Sequence, residues 1–471
     1  MKKVFVWALM ATLLVAGSAF AARPNQVAPN ATFPSGAPTT TNNDDTCDIS
    51  TAPAATLLLP YFEVDVNAPA TTAQTTLFTV TNTSRQPQIA HVTVWTDYSY
   101  PVLDFNIFLT GYDVQAINLY DVFVRGLVAP DKGTSNANTP GSRSLSNTTG
   151  NPNFLPGATT ACNPTGQNSG RVPETLRQNV VSALTQGLFP LLCDGETIGG
   201  THTNAIGYVT LDVAATCSTN LPTEPAYWTT EVLFDNVLIG DYQQINPNPT
   251  TGNLAQGNPM VHIRAIPEGG PAGAVVATNL PWTFYTRYQS IITPTRDRRQ
   301  PLPHLFAARY IEGGTSGFVT GFKIWREGQT GASADCDEYA DPTFGNSAMP
   351  VREIVRFDER ENPFVSTATG GFSPVPPGGV ALPETSRVLT TNTSIFPALT
   401  SGDVGGWFYL NLHNNSLVLS PAGRPSQNWV IVSMASEGRY SVDFDAAWLG
   451  NGCSALVGAG AIIGPAPNTN P

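Results

Sequence analysis

The stretch TTLFTVTNTSRQPQIAHVTVW, residues 75–95, decides the fold class. Two runs rich in β-branched and aromatic residues flank the turn cluster Asn82-Thr83-Ser84-Arg85-Gln86-Pro87, where Asn, Ser and Pro favour a chain reversal. The chain continues in short strand-like segments over 102–109 and 114–119. Strands of this length separated by turn signals at close intervals predict an antiparallel β-sandwich of immunoglobulin-like or jelly-roll type.

Period-two alternation recurs along the sequence. In RYSVDFDAAW, Tyr440, Val442, Phe444, Ala446 and Trp448 share one face, with Arg439, Ser441, Asp443 and Asp445 on the other. YFEVDVN sets Phe62, Val64 and Val66 against Glu63, Asp65 and Asn67, and VHIRAI sets Val261, Ile263 and Ala265 against His262 and Arg264. GFVTGFKIWR places Phe318, Phe322 and Ile324 together. Strands with one polar face belong in antiparallel sheets whose second side is wet. A looser echo of 75–95 at 407–412 and 429–434 points to internal duplication. One helix is expected, with Pro173 in its first turn, Glu174 at the positive dipole end and Gly187 closing it. Leu176, Val180, Leu184 and Leu188 form its apolar stripe, which packs on a sheet.

These signals divide the 471 residues into a signal peptide (1–21), a spacer (22–46), a β-sandwich region (47–130) and a polar Gly/Pro/Asn/Thr-rich loop (131–171). The helix (172–192), a second β-rich region (193–345), a Pro/Gly-rich connection (346–384) and a C-terminal β-rich region (385–471) complete the division. The leading segment reads as a cleaved export signal: Lys2 and Lys3, an apolar run from Val4 to Val15, then Ala19-Phe20-Ala21. Its apolar run is shorter than the ~20 residues a membrane span requires, and the Ala455–Ile463 run is shorter still. The expected location is therefore secreted, periplasmic or on the cell surface, with no integral membrane segment once the signal is removed.

Composition narrows the partners. The net charge is −12. An acidic chain lacks the clustered cations that nucleic acids or anionic membranes require. Charged residues make up 12%, against a usual share of roughly 25%. The six cysteines, Cys47, Cys162, Cys193, Cys217, Cys336 and Cys453, are an even set with no C-x-x-C spacing. In an exported chain they read as disulfides rather than as a zinc or redox motif, and Cys162–Cys193 is the expected local bridge.

Candidate chemistry is sparse. Asp443 and Asp445, and likewise Glu63 and Asp65, lie two apart on strands, so each pair shares a face about 7 Å apart. Such pairs suit glycosidic bond cleavage, but they are equally what a solvated strand face presents, and the solvated face is the expectation. Asp335, Asp337, Glu338 and Asp341 surround Cys336 and offer oxygen ligands for Ca²⁺, without the ordered loop and central glycine of a dedicated site. The five histidines are dispersed, and Gly314-Thr315-Ser316-Gly317 lacks the spacing of a nucleophile elbow. Trp282, Phe284 and Tyr288 in PWTFYTRYQS could line a strand as a glycan-contact stripe; burial in a core is the competing expectation. The basic knot Thr295-Arg296-Asp297-Arg298-Arg299 is expected to be a solvated loop.

The expected function is that of a secreted or cell-surface, non-catalytic β protein with a structural, adhesive or recognition role. It would bind a surface glycan or protein, or associate with itself. A carbohydrate-active enzyme or glycan-binding module is the alternative.

Overall fold

The structure, a computed structural model, describes residues 52–128, 172–216, 220–247, 255–269, 273, 280, 282–288, 297–328, 336, 349–365, 381–398, 404–414, 424–436 and 440–449. The signal segment, the spacer and the 131–171 loop lie outside them, as do the acidic residues around Cys336.

The chain is mainly β and antiparallel. The first half contributes β1 (Thr56–Val64), β2 (Thr75–Asn82), β3 (Gln88–Thr96), β4 (Pro101–Leu109), β5 (Val114–Asn118), β6 (Leu188–Phe189), β7 (Cys193–Thr197), β8 (Ala205–Ala214), β9 (Leu238–Ile245), β10 (Gln256–Pro259) and β11 (Val261–Ile263). The second half contributes β12 (Leu305–Ile311), β13 (Phe318–Arg326), β14 (Met349–Pro350), β15 (Glu353–Asp358), β16 (Pro363–Val365), β17 (Ala381–Leu382), β18 (Thr385–Leu389), β19 (Gly405–Asn411), β20 (Asn428–Ser436), β21 (Tyr440–Asp445) and β22 (Ala447–Trp448).

Four sheets form two sandwiches. The first pairs the sheet β11-β1-β8-β3-β4 with β10-β9-β2-β5, and the second pairs β16-β15-β19-β12-β22 with β18-β13-β20-β21. The 82–87 turn does not close a hairpin within one sheet. It carries the chain from β2 in one layer to β3 in the other. Asn82 shapes it: its amide donates to the Gln86 and Thr110 carbonyls, while its oxygen accepts from the Ser84 backbone N–H and hydroxyl.

The duplication is one of topology, and its register differs from the sequence echo. β2 lies between β5 and β9, and β3 between β4 and β8; β12 lies between β19 and β22, and β13 between β18 and β20. The six strands β2, β3, β4, β5, β8 and β9 thus match β12, β13, β18, β19, β20 and β22 in chain order and in neighbours. The 75–95 pair therefore corresponds to 305–326, whereas the echo at 407–434 falls on the counterparts of β5 and β8. Beyond the six, the strand beside β8 is β1, which precedes the set, whereas the strand beside β20 is β21, which lies between β20 and β22 in the chain.

Apolar side chains of the central strands fill each sandwich. Phe78, Val80, Val92, Val94, Leu211 and Val213 are buried in the first, and Phe322, Ile324, Phe408, Leu410 and Val432 in the second. The helix spans Glu174–Gln186 as expected, with Gly187 at φ +68° as its C-cap; Val180 and Leu184 are buried, while Leu188 is exposed.

The expected bridge is replaced. Cys193 bonds Cys336, 143 residues away, rather than Cys162. Sequence proximity favoured the shorter loop, but the fold brings β7 beside Cys336. Cys47, Cys162, Cys217 and Cys453 lie outside the described residues.

Candidate functional site

The densest collection of polar and charged side chains lies at the junction of the two sandwiches. It begins with register. His91 faces Asp212 across β3 and β8, Thr93 faces Thr210, and Trp95 faces Tyr208; on β1, Thr56 also faces Asp212. One side of this sheet is therefore polar and aromatic. In a lone sandwich it would be wet. Here all of these residues are buried, met by Tyr285, Arg287, Tyr288 and Arg299 and by Trp325 of β13.

Asp212 is the first centre. Its carboxylate accepts hydrogen bonds from the Tyr227 hydroxyl at 2.6 Å, the Tyr285 hydroxyl at 2.8 Å and Thr56, and pairs with Arg299 at 3.2 Å. Arg299 also reaches Asp297 at 3.1 Å. Burial raises the Tyr227 and Tyr285 pKa values, and the Asp212 charge raises them further, so both hydroxyls stay protonated as donors.

Arg287 is the second. It pairs with Glu384 and donates to the Tyr208 hydroxyl at 2.8 Å, which in turn shares a hydrogen bond with Ser99. Ser99 sits at φ +64° in the β3–β4 hairpin. The Arg287 guanidinium lies 4.8 Å from the Tyr288 ring centre and 5.6 Å from that of Trp325. Backbone joins the sandwiches at the same place: the Glu384 N–H donates to the Asp97 carbonyl, and the Thr385 hydroxyl to that of Pro60. Burial pushes the Glu384 carboxyl up, with Arg287 opposing.

Two further pairs complete the polar layer. Glu327 is held by Arg424 at 2.6 and 2.7 Å and by the Gln427 N–H at 2.9 Å. Lys323 pairs with Asp443, whose other oxygen accepts from the Ser433 hydroxyl at 2.7 Å.

These positions correct two expectations. The Asp443 side of β21 is not solvated but turned into the junction, because a second sandwich covers the sheet face that a single one would leave open. Asp443 is buried, while Tyr440 and Val442, on the apolar side, are 61% and 49% exposed. Likewise Asp297, Arg298 and Arg299 form no solvated loop but are internal; Arg298 stacks 4.2 Å from the Phe234 ring centre and donates to the Gly269 carbonyl at 2.6 Å.

The remaining candidates are also committed to structure. Asp445 accepts from Asn258 at 2.7 Å and from the Trp429 indole at 3.1 Å, and burial raises its carboxyl. Glu63 accepts from Asn204 and Tyr61, and Asp65 accepts from the N–H groups of Asn67 and Ala68, capping a turn. Trp282, Phe284 and Tyr288 lie in a turn and a 3₁₀ helix rather than along a strand, and all three rings are buried. The 314–317 segment is the turn between β12 and β13.

One arrangement escaped the sequence. His202 meets Asp97 at 2.9 Å, and the other Asp97 oxygen accepts the Gly200 N–H at 2.8 Å. The partners are 105 residues apart, so no local motif marks them. The dyad resembles the base and orienter of a hydrolytic triad, but among the described residues no serine, threonine or cysteine hydrogen-bonds the His202 ring. Among those residues too, no group of three or more His, Cys, Asp or Glu could hold a metal, and no helix is long and apolar enough to cross a membrane.

No family model, curated protein or solved structure matches this chain.

Proposed function

We propose that this is an exported, non-catalytic double β-sandwich with a structural, adhesive or recognition role at the cell surface or in the periplasm. The observation that carries the reading is the commitment of its acids. Asp212, Asp443, Glu327 and Glu384 are each buried and paired with an internal cation. A catalytic acid or base has to reach a substrate proton; these carboxylates reach only their own fold. Export rests on the leading Lys2-Lys3 and apolar run, and the Cys193–Cys336 bridge fits an oxidising compartment. The carbohydrate alternative loses the aromatic stripe it was read from, since the Trp282, Phe284 and Tyr288 rings face inward.

The test is a broad hydrolase screen on the purified mature chain beside glycan-array binding. The reading expects no turnover. Hydrolysis abolished by Asp443→Asn, with folding retained, would overturn it.

A further inference from the structure

The sequence holds four lysines, Lys2, Lys3, Lys132 and Lys323. Lys323 is the only one among the described residues, and it is fully buried. Placing an ammonium, more strongly hydrated than a guanidinium, there is costly. Arg287, Arg299 and Arg424 fill the comparable positions in the junction, and a guanidinium is the residue of choice for a buried ion pair. An amine differs from a guanidinium in one chemical respect: once deprotonated, it is a good nucleophile.

The surroundings suit that difference. Gly321 on β13, Ser433 on β20 and Asp443 on β21 lie in register across the sheet, and Lys323 is two residues along the same face of β13. The Lys323 nitrogen meets Asp443 Oδ2, and neither side chain is exposed. Ser433 donates to Oδ1 at 2.7 Å. The Tyr242 ring from the first sandwich closes the site, its centre 5.8 Å from the nitrogen. Burial lowers the Lys323 pKa against the pull of Asp443, which favours the neutral amine.

We propose that Lys323 and Asp443 condense into an intramolecular amide, a self-made isopeptide crosslink between β13 and β21. The Nζ–Cγ bond forms and the Cγ–Oδ2 bond breaks. Two of the three ammonium protons leave with Oδ2 as water, one remains on the amide nitrogen, and nothing is oxidised or reduced. Ser433 holds Oδ1, the oxygen that carries negative charge in the tetrahedral adduct and becomes the amide carbonyl, as an oxyanion-hole donor does. The fold holds amine and acid in contact, which replaces a bimolecular encounter by an intramolecular one. Exclusion of solvent then disfavours the reverse hydrolysis.

The crosslink is independent of the role proposed above, and its test reads mass rather than binding or turnover. The mature chain is folded, then reduced, denatured and weighed intact. The expected mass is lower than the reduced sequence by one water, and proteolysis yields one branched peptide joining the Lys323 and Asp443 segments. Lys323→Arg restores the full mass. Asp443→Asn forms the same amide and is lighter than its own sequence by one ammonia. A folded wild-type chain at full mass, with Lys323 and Asp443 in separate linear peptides, would overturn the proposal, and this arm needs no variant to fold.

Discussion

Arg299 and Asp212 meet at 3.2 Å with essentially no solvent exposure, although one lies in the segment linking the sandwiches and the other toward the end of β8. Removing one member of a buried pair strands the other's charge, at a cost of about 3–5 kcal/mol. Arg299→Ala should lower the free energy of unfolding by about that amount in a urea titration, with the cooperative transition retained. A change below about 0.5 kcal/mol would mean that the pair is solvated rather than buried.

Asp104 gives the protein a pH dependence of opposite sign to that of most carboxylates. Burial raises its pKa from 3.8 to about 7, with Glu224 adding to the shift. Between those two values the folded state binds a proton that the unfolded chain has released. Its contribution is therefore complete below pH 4 and is lost as pH rises toward 7. Asp104→Asn should flatten stability across that window and leave the variant more stable than wild type at pH 8, as chemical denaturation at pH 4 and pH 8 would show.

Gly187 ends the helix at φ +68°, and a Cβ there would meet the Gly199 carbonyl oxygen at 1.9 Å. Gly187→Ala combines a left-handed backbone with a collision against main chain. It should cost more than about 1 kcal/mol in thermal or urea unfolding. Gly195→Ala, at φ +86° but with nothing within 4 Å of the new atom, should cost less.

Cys193–Cys336 closes a loop of 143 residues. In the chain-entropy account a loop of this size restrains the unfolded state by about 5 kcal/mol. Cys193→Ser should lower stability by up to that figure in urea unfolding, and reductant should produce at least as large a loss in the wild type.

Pattern made the strands legible and topology hid their second faces. Period-two alternation located segments of β1, β11, β13 and β21, and runs of β-forming residues between turn signals located β2 to β5. The same rule misassigned the Asp443 side of β21, since alternation tells two faces apart without saying whether another sandwich covers the polar one. Arg298 and Arg299 misled for the same reason: charge in a short basic knot reads as solvated unless the residues that neutralise it are known, and Asp212 lies 87 positions away from Arg299. The helix was the easiest element, because Pro173 and Gly187 bound it locally. Asp97–His202 and Cys193–Cys336 were invisible for the opposite reason, being contacts made only by the finished fold.

The central claim is that buried charge welds the two sandwiches into one folding unit. Differential scanning calorimetry of wild type and Arg287→Met tests it most directly, because Glu384, the partner of Arg287, also makes one of the backbone contacts that join the halves. The account predicts a single transition in each protein, with equal calorimetric and van 't Hoff enthalpies, and a lower midpoint in the variant. Two separate transitions in the wild type, or a variant that moves only one of them, would contradict it.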